Sequence, residues 1–316
     1  AFFTSILTFF LLASCSDAYK FTLNVPKKTT LNEEITITLK EENDKVLDNI
    51  QFFVNGKEID ASGNSITLNT NDLGVGKHQV AALAFYPGKT KKTNNSFEVF
   101  AIDKPVLYNY EIVNTYPHDT NAYTQGLEFY NGFLYETTGH YGESTLRKVE
   151  INTGKVLQKI DLDKKYFGEG MTIFNNKIYW LTWKAKKGFI YNLDTFEQEG
   201  EFNYNKSKEG WGLTHNNSEF IKSDGSNKIW FLNPENQKEI RSIQSYTNKV
   251  SLTSLNELEW INGKIYANYW QKPLIAIINP DNGSVEGIIN LTNLVKEMEK
   301  TQKLEDQDDV LNGIAF

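Results

Sequence analysis

Cysteine is almost missing from this chain: one residue, Cys15, in 316. A single thiol rules out an internal disulfide framework, so the fold must rest on a hydrophobic core. Proline is scarce too, at seven residues, and nothing in the composition points to a Pro-rich or collagen-like chain. Clustered positive charge is also lacking. The 33 Lys and Arg are scattered among 40 Asp and Glu, for a net charge of −7. Phosphate backbones are gripped by grouped Lys and Arg, so no nucleic-acid partner is expected. The four histidines, His78, His118, His140 and His215, fall at no metal-ligand spacing. Neither a Gly-rich phosphate loop nor a Gly-x-Ser-x-Gly elbow occurs. No catalytic metal and no cofactor are therefore expected.

The one long apolar run, residues 1–14, is shorter than the roughly 20 residues a membrane span needs. It has the length of a signal-peptide core. It ends Leu12-Ala13-Ser14-Cys15, which resembles a bacterial lipobox. The expectation is a lipoprotein signal peptide over residues 1–15, cleavage before Cys15, and lipid on its thiol. Lipid there would tie the chain to the bacterial cell envelope, on the periplasmic or surface side. The chain opens on Ala1, with no Met and no basic stretch ahead of the apolar run, which reads as a clipped N-terminus.

What the sequence has in plenty is aromatic residues, 13% of the chain, led by 20 Phe and 16 Tyr. Aromatic richness with little proline favours strands. Residues 16–105 carry short period-two runs, among them Tyr19–Val25, Glu34–Lys40, Ile50–Val54, Ser65–Leu68 and Gln79–Phe85. Asn55-Gly56 is a hairpin signal. About seven strands in such a span predict a small β-sandwich, immunoglobulin-like in pattern. It holds no acid–base cluster, and a spacer role is the expectation.

After Pro105 the chain repeats itself. Gln125-Gly126-Leu127-Glu128-Phe129 is followed by the turn Asn131-Gly132. Glu169-Gly170-Met171-Thr172-Ile173 is followed by Asn175-Asn176. Trp211-Gly212-Leu213-Thr214 leads to Asn216-Asn217, and Asn256-Glu257-Leu258-Glu259-Trp260 to Asn262-Gly263. Leu311-Asn312-Gly313-Ile314-Ala315-Phe316 ends the chain, after a polar, helix-prone insertion over Leu291–Asp308. The starts at Gln125, Glu169, Trp211 and Asn256 step by 44, 42 and 45 residues. Each unit reads as four strands with fixed turns. That is the pattern of a β-propeller blade, and five starts predict five blades over residues 106–316. Only the first strand of the fifth blade is present, so the last blade reads as truncated. The segment Tyr108–Tyr116 is the candidate for an outer strand that closes the ring.

Residues at equivalent repeat positions converge at one rim of a propeller. Gln125, Glu169, Trp211 and Asn256 would meet there, joined by Trp183 and Trp270, which follow second strands. One carboxyl group, two amides and three indoles make a concave pocket with aromatic walls. A lone Trp in such a repeat is more often core than site, and a lone Glu is as often a solvated loop residue. Three indoles at rim-facing positions weigh against that plain reading.

At these residues the chain resembles the plant and bacterial glutamine cyclotransferases. The resemblance rests on His118-Asp119 leading to Tyr123-Thr124-Gln125-Gly126-Leu127, and on Tyr135–Gly142. It continues through Phe167-Gly168-Glu169-Gly170, Leu181-Thr182-Trp183, Glu209–Thr214, Ser223–Ser226, Leu255–Glu259 and Leu311–Ala315. It covers about two-thirds of the chain, from near residue 110 onward. Each motif alone is weak, but their order at blade spacing is specific. The resemblance implies cyclisation of an N-terminal glutamine to pyroglutamate with release of ammonia. It implies Glu169 as the proton-transfer residue, with Tyr123 (Phe in most of the family), Gln125, Trp183, Trp211, Asn256 and Trp270 around the substrate. The family also has a last-blade lysine, which would lie beyond Phe316. A peptide with N-terminal Gln is the expected partner and a monomer the expected state. Two other readings stay open: a propeller that only binds, and a hydrolase or lactonase propeller with a channel metal.

Overall fold

The structure, a computed structural model, describes residues 18–300, 302, 304 and 307–316. The proposed signal peptide and Cys15 lie outside the described residues. Regular structure among the described residues is strand throughout, apart from a 3-10 turn at Thr70–Asp72 and one helix, Thr292–Met298. That helix falls in the insertion where the sequence predicts one.

Two compact units divide the chain. The first contains the described residues up to Pro26, Thr36–Thr67 and Gln79–Ser96. Its strands follow the period-two runs closely. Glu34–Glu41 alternates exposed and buried along its length, as do Ser65–Asn69 and Gly76–Tyr86. Phe21–Asn24 pairs antiparallel with Glu34–Glu41, and Asn49–Val54 pairs with Gly76–Tyr86 and with Lys57–Ile59. The hairpin at Asn55-Gly56 has φ of 51° and 84°, the left-handed pair that Asn-Gly supplies at least cost.

The second unit contains residues 27–35, 68–78 and 97–316, so two loops from early in the chain belong with the repeats. The repeats build four sheets, each with four antiparallel strands. Sheet I is Thr124–Tyr130, Phe133–Thr138, Thr145–Glu150 and Lys155–Asp161. Sheet II is Gly168–Phe174, Lys177–Thr182, Lys187–Asn192 and Gln198–Asn203. Sheet III is Leu213–His215, Phe220–Ser223, Lys228–Leu232 and Glu239–Gln244. Sheet IV is Leu255–Ile261, Lys264–Tyr269, Leu274–Ile278 and Val285–Asn290. Asn131-Gly132 and Asn262-Gly263 make left-handed turns as the sequence predicts; Asn216 instead caps a longer turn by accepting the Ser218 and Glu219 N–H groups.

Consecutive sheets pack face to face. Tyr135 and Leu146 of sheet I meet Met171, Ile178 and Trp180 of sheet II. Tyr179, Leu181 and Phe202 of sheet II meet Phe220 and Leu232 of sheet III. Ile221 and Phe231 of sheet III meet Leu258, Ile265 and Ile278 of sheet IV. First strands are buried nearly throughout, as in sheet II, whereas the fourth strand of sheet I alternates exposed and half-buried. Each fully buried aliphatic or aromatic side chain here contributes roughly 1.5–3 kcal/mol.

The C-terminal segment bridges sheet IV and sheet I without forming a strand. Asn312 donates to the Thr124 carbonyl at 2.9 Å, Gly313 N–H reaches Asn268 at 3.0 Å, and Ile314 N–H reaches Glu257 at 2.9 Å. The expected outer strand Tyr108–Tyr116 is not formed. Val106–Tyr108 is the strand, and it adds in parallel to Val285–Asn290 of sheet IV. Residues 109–116 carry no regular structure. An open sheet edge offers a full row of unpaired backbone groups, and the nearby segment takes it.

Candidate active site

The repeat starts share a local irregularity. Where the first strand of a sheet pairs with its second, the register slips at Gln125 in sheet I, at Glu169 and Gly170 in sheet II, and at Asn256 and Glu257 in sheet IV. A bulge of this kind releases residues from the ladder and re-aims their side chains. In sheet III the strand begins only at Leu213, so Trp211 stands ahead of it. Gln125, Glu169 and Asn256 are therefore freed from regular pairing, while Trp211 N–H still donates to the Ser223 carbonyl at 3.2 Å.

These freed ends touch through backbone. A β-carbon on Gly170 would lie 2.5 Å from the Trp211 carbonyl oxygen, and one on Gly212 would lie 2.2 Å from that of Asn256. Only glycine permits such approach. Gly170 N–H donates to the Trp211 carbonyl at 2.7 Å, and the Ser223 hydroxyl donates to the Asn256 carbonyl at 2.7 Å. Thr137 donates to the Glu169 carbonyl at 2.7 Å. Glu169, Trp211 and Asn256 are thus strung side by side although 42 and 45 residues separate them.

The indoles and phenyl rings line this row. Trp211 packs edge-on against Trp270, centroids 5.6 Å apart. Trp183 packs against Phe167 at 5.4 Å, and Phe167 stands edge-on to Tyr123 at 6.4 Å. Tyr123 lies 4.1 Å from the His140 ring and donates its hydroxyl to the Asp308 carbonyl at 3.3 Å. The indole N–H groups of Trp183 and Trp211 both donate to Oε2 of Glu209, at 2.8 and 2.9 Å.

Glu169 is buried, and its carboxyl group has no hydrogen bond among the described residues. Burial, with the Glu209 charge adding to it, pushes its pKa well above the ordinary carboxylate range. Gln125 is buried as well. Asn256 is buried with its side-chain carbonyl oxygen unpaired, an uncommon and costly state in a folded chain.

The site residues expected from sequence are thus gathered in one row of contacts, from Tyr123 through Phe167, Trp183, Glu209 and Trp211 to Trp270, with Glu169 and Asn256 on the strands beneath. Gln125 sits one bulge over, next to the Gly126 that abuts Met171. Sequence reasoning did not single out Glu209, Phe167 and His140, which the structure places in contact with Trp183, Trp211 and Tyr123. Glu209 stands two residues ahead of Trp211 and Phe167 two ahead of Glu169, so proximity to the repeat starts was the available signal.

Three residues further along the first strands stand Glu128, Thr172, Thr214 and Glu259. Glu128 accepts from Thr172 at 2.8 Å and from Ile173 N–H at 3.0 Å, and Glu259 accepts from Thr214 at 3.1 Å. Burial raises Glu128 to about 8 and Glu259 to about 7, and raises Glu257 well above the ordinary range. None of the three has an ion-pair partner among the described residues. They lace sheet to sheet and lie apart from the aromatic row. His118 bonds Glu136 at 2.8 Å and ties its loop to sheet I.

Comparison with known proteins converges on one family. A family model described as glutamine cyclotransferase matches residues 80–316. A curated glutaminyl-peptide cyclotransferase of Arabidopsis thaliana is 38% identical over 208 residues, which is 65% of this chain and 64% of that protein. The chain therefore spans a little under two thirds of that relative's length. The crystal structure of the Myxococcus xanthus glutaminyl cyclase matches with a TM-score of 0.62 and 32% identity, covering 67% of this chain and 88% of that one.

Proposed function

Because the chain belongs to the glutamine cyclotransferase family, we propose that it converts the N-terminal glutamine of peptides or proteins to pyroglutamate, releasing ammonia. The observation that carries this reading is the Glu169 carboxyl group: buried, without a hydrogen-bonding partner among the described residues, and raised in pKa by burial and by the charge of Glu209, which itself holds the Trp183 and Trp211 indole N–H groups. Such a group holds its proton to higher pH than an ordinary carboxyl group does and can give it to a leaving nitrogen.

The chemistry runs within one residue of the substrate. The neutral α-amine attacks the side-chain amide carbon and forms the C–N bond of a five-membered ring. Its reference pKa of about 7.7–8.0 makes the neutral form accessible near pH 8. The tetrahedral carbon then breaks its bond to the amide nitrogen, which leaves as ammonia after gaining a proton. Glu169 gives that proton and takes one from the ring nitrogen, so the enzyme ends as it began. General acid–base help of this kind contributes roughly 10²–10⁴-fold. Trp183, Trp211, Trp270 and Tyr123 hold the folded conformer that ring closure needs, which removes much of the orientational barrier. The unpaired Asn256 carbonyl and the Gln125 amide bind the substrate's polar groups.

The same reading takes residues 106–316 as a five-bladed β-propeller, with the C-terminal segment in the place of the first strand of its last blade. The four sheets packed in order and the bridging segment 312–316 support it. It takes residues 16–105 as an immunoglobulin-like sandwich in front, and residues 1–15 as a lipoprotein leader that anchors a monomer in the bacterial envelope through Cys15. The lipobox sequence supports that anchor.

Incubation with a Gln-initiated peptide tests the activity: ammonia should appear, and the peptide should lose about 17 Da, the ammonia expelled by the acid–base step. A peptide that keeps its mass under conditions where it binds would refute the reading. Turnover abolished by a chelator would favour the metal-dependent alternative.

A further inference from the structure

Glu209 is the charged group at the site that this reaction scheme leaves without a role. It lies in the loop between strand Gln198–Asn203 of sheet II and Trp211. Its Oε2 takes both indole N–H donors, Trp183 from sheet II and Trp211 from ahead of sheet III. Two donors on one oxygen fix the carboxylate in place. Its Oε1 accepts no hydrogen bond, and Glu209 forms no ion pair, among the described residues. Its charge is felt by the buried Glu169. Trp211 in turn packs on Trp270. The result is an anchored, half-buried carboxylate with one open oxygen, set among indole faces that attract cations. Lys184 Nζ stands over the Trp183 ring, 3.6 Å from its centroid, but makes no ion pair with Glu209, so the carboxylate's open oxygen is left for a cation that comes with the ligand.

We propose that Glu209 binds the α-ammonium of the incoming substrate, and that the protein thereby admits only chains whose first residue has a free amine. The proposal rests on the cyclotransferase reading for the identity of the substrate. Below pH 7.7 most peptide N-termini carry the charge. An internal glutamine or an acylated N-terminus brings none, and would leave the carboxylate desolvated and unpaired. Sites built to pair a polar group reject ligands that lack it more strongly than apolar pockets reject a wrong shape. Before attack the bound ammonium gives one proton to bulk water, which frees the nitrogen lone pair that forms the ring bond.

The test uses the full chain and two probes that cannot cyclise: a Met-initiated tetrapeptide, and its counterpart with the α-amine replaced by hydrogen. Binding is followed by indole fluorescence in the wild type, E209Q and E209D. The wild type should bind the amine peptide at least about tenfold tighter, the scale of one charge-assisted hydrogen bond. E209Q should shrink that preference to within about twofold, and E209D should keep most of it. A Glu209 that merely holds the indoles would move both affinities together and leave the ratio intact. That outcome overturns the proposal, as does a wild type that binds both probes alike, which needs no variant to fold. E209A replaces E209Q should the latter misfold. Ammonia release by the wild type is scored separately. A chain that prefers the amine yet releases no ammonia sinks the cyclotransferase reading alone, and one that releases ammonia while binding both probes alike sinks the Glu209 proposal alone.

Discussion

Replacing Lys222 by methionine should unfold the site from below. Lys222 and Glu239 are wholly buried in sheet III, with Nζ 3.1 Å from Oε1. Lys222 Nζ also sits 4.0 Å from the Tyr204 ring centroid. Burial pulls the lysine below its ordinary range, with the Glu239 charge opposing. Burial pushes Glu239 up, but the Lys222 charge and the Ser207 hydrogen bonds outweigh it and hold it low. Glu239 in turn accepts the backbone N–H groups of Lys206 and Ser207, at 2.5 and 2.9 Å. The pair therefore clamps the loop that leads to Glu209 and Trp211. Removing the cation strands a buried carboxylate, which costs about 3–5 kcal/mol. At roughly 2–4 °C per kcal/mol, the melting temperature should fall by about 6–20 °C. K222M/E239Q removes the stranded charge while keeping an acceptor for the loop, and should recover at least about 2 kcal/mol relative to the sum of the single changes. Thermal melts of the four proteins followed by near-UV circular dichroism decide the matter. A K222M melt within about 2 °C of wild type, or strictly additive changes, would refute the clamp.

Glu169→Gln should lower turnover by about 10²–10⁴-fold while peptide affinity holds, measured by ammonia release and by fluorescence titration. Turnover needs the protonated Glu169, whose pKa is raised first by burial and then by Glu209, so the rate should fall as pH climbs through that raised value. E209Q removes the second cause, and its alkaline limb should move to lower pH; an unmoved limb would contradict this. The folded-state values of Glu128 and Glu259, about 8 and 7, exceed the unfolded ones, so the stabilisation they give is complete below about pH 4 and is lost as pH rises through 7–8. Melting temperature should drop from pH 5 to pH 8.5, and E128Q should flatten the drop. Gly170→Ala drives a methyl group onto backbone, 2.5 Å from the Trp211 carbonyl, and should cost about 1–3 kcal/mol together with most of the turnover.

The repeat was legible because turns and apolar strands obey local rules. Asn131-Gly132 and Asn262-Gly263 adopt the left-handed angles that their side chains permit, and the strands between them follow. Convergence of Glu169, Trp211 and Asn256 was legible from their spacing alone. The bulges beneath them were not, since a register slip is a property of two strands and shows in neither. Glu209 escaped for a similar reason: its role lies in bonds to Trp183, 26 positions earlier, and to Trp211. The parallel addition of Val106–Tyr108 to sheet IV was illegible too, because a three-residue strand has too few side chains to announce its partner.

Where sheets II, III and IV abut at Gly170 and Gly212, peptide group rests on peptide group with no side chain between. That seam is accordingly cut to a fixed gauge that substitution can only spoil. Under the cyclotransferase reading, any drift in preference for the residue behind the glutamine would have to be written in the rings instead, which makes Tyr123, Trp183 and Trp270 the positions to vary when a different clientele is wanted.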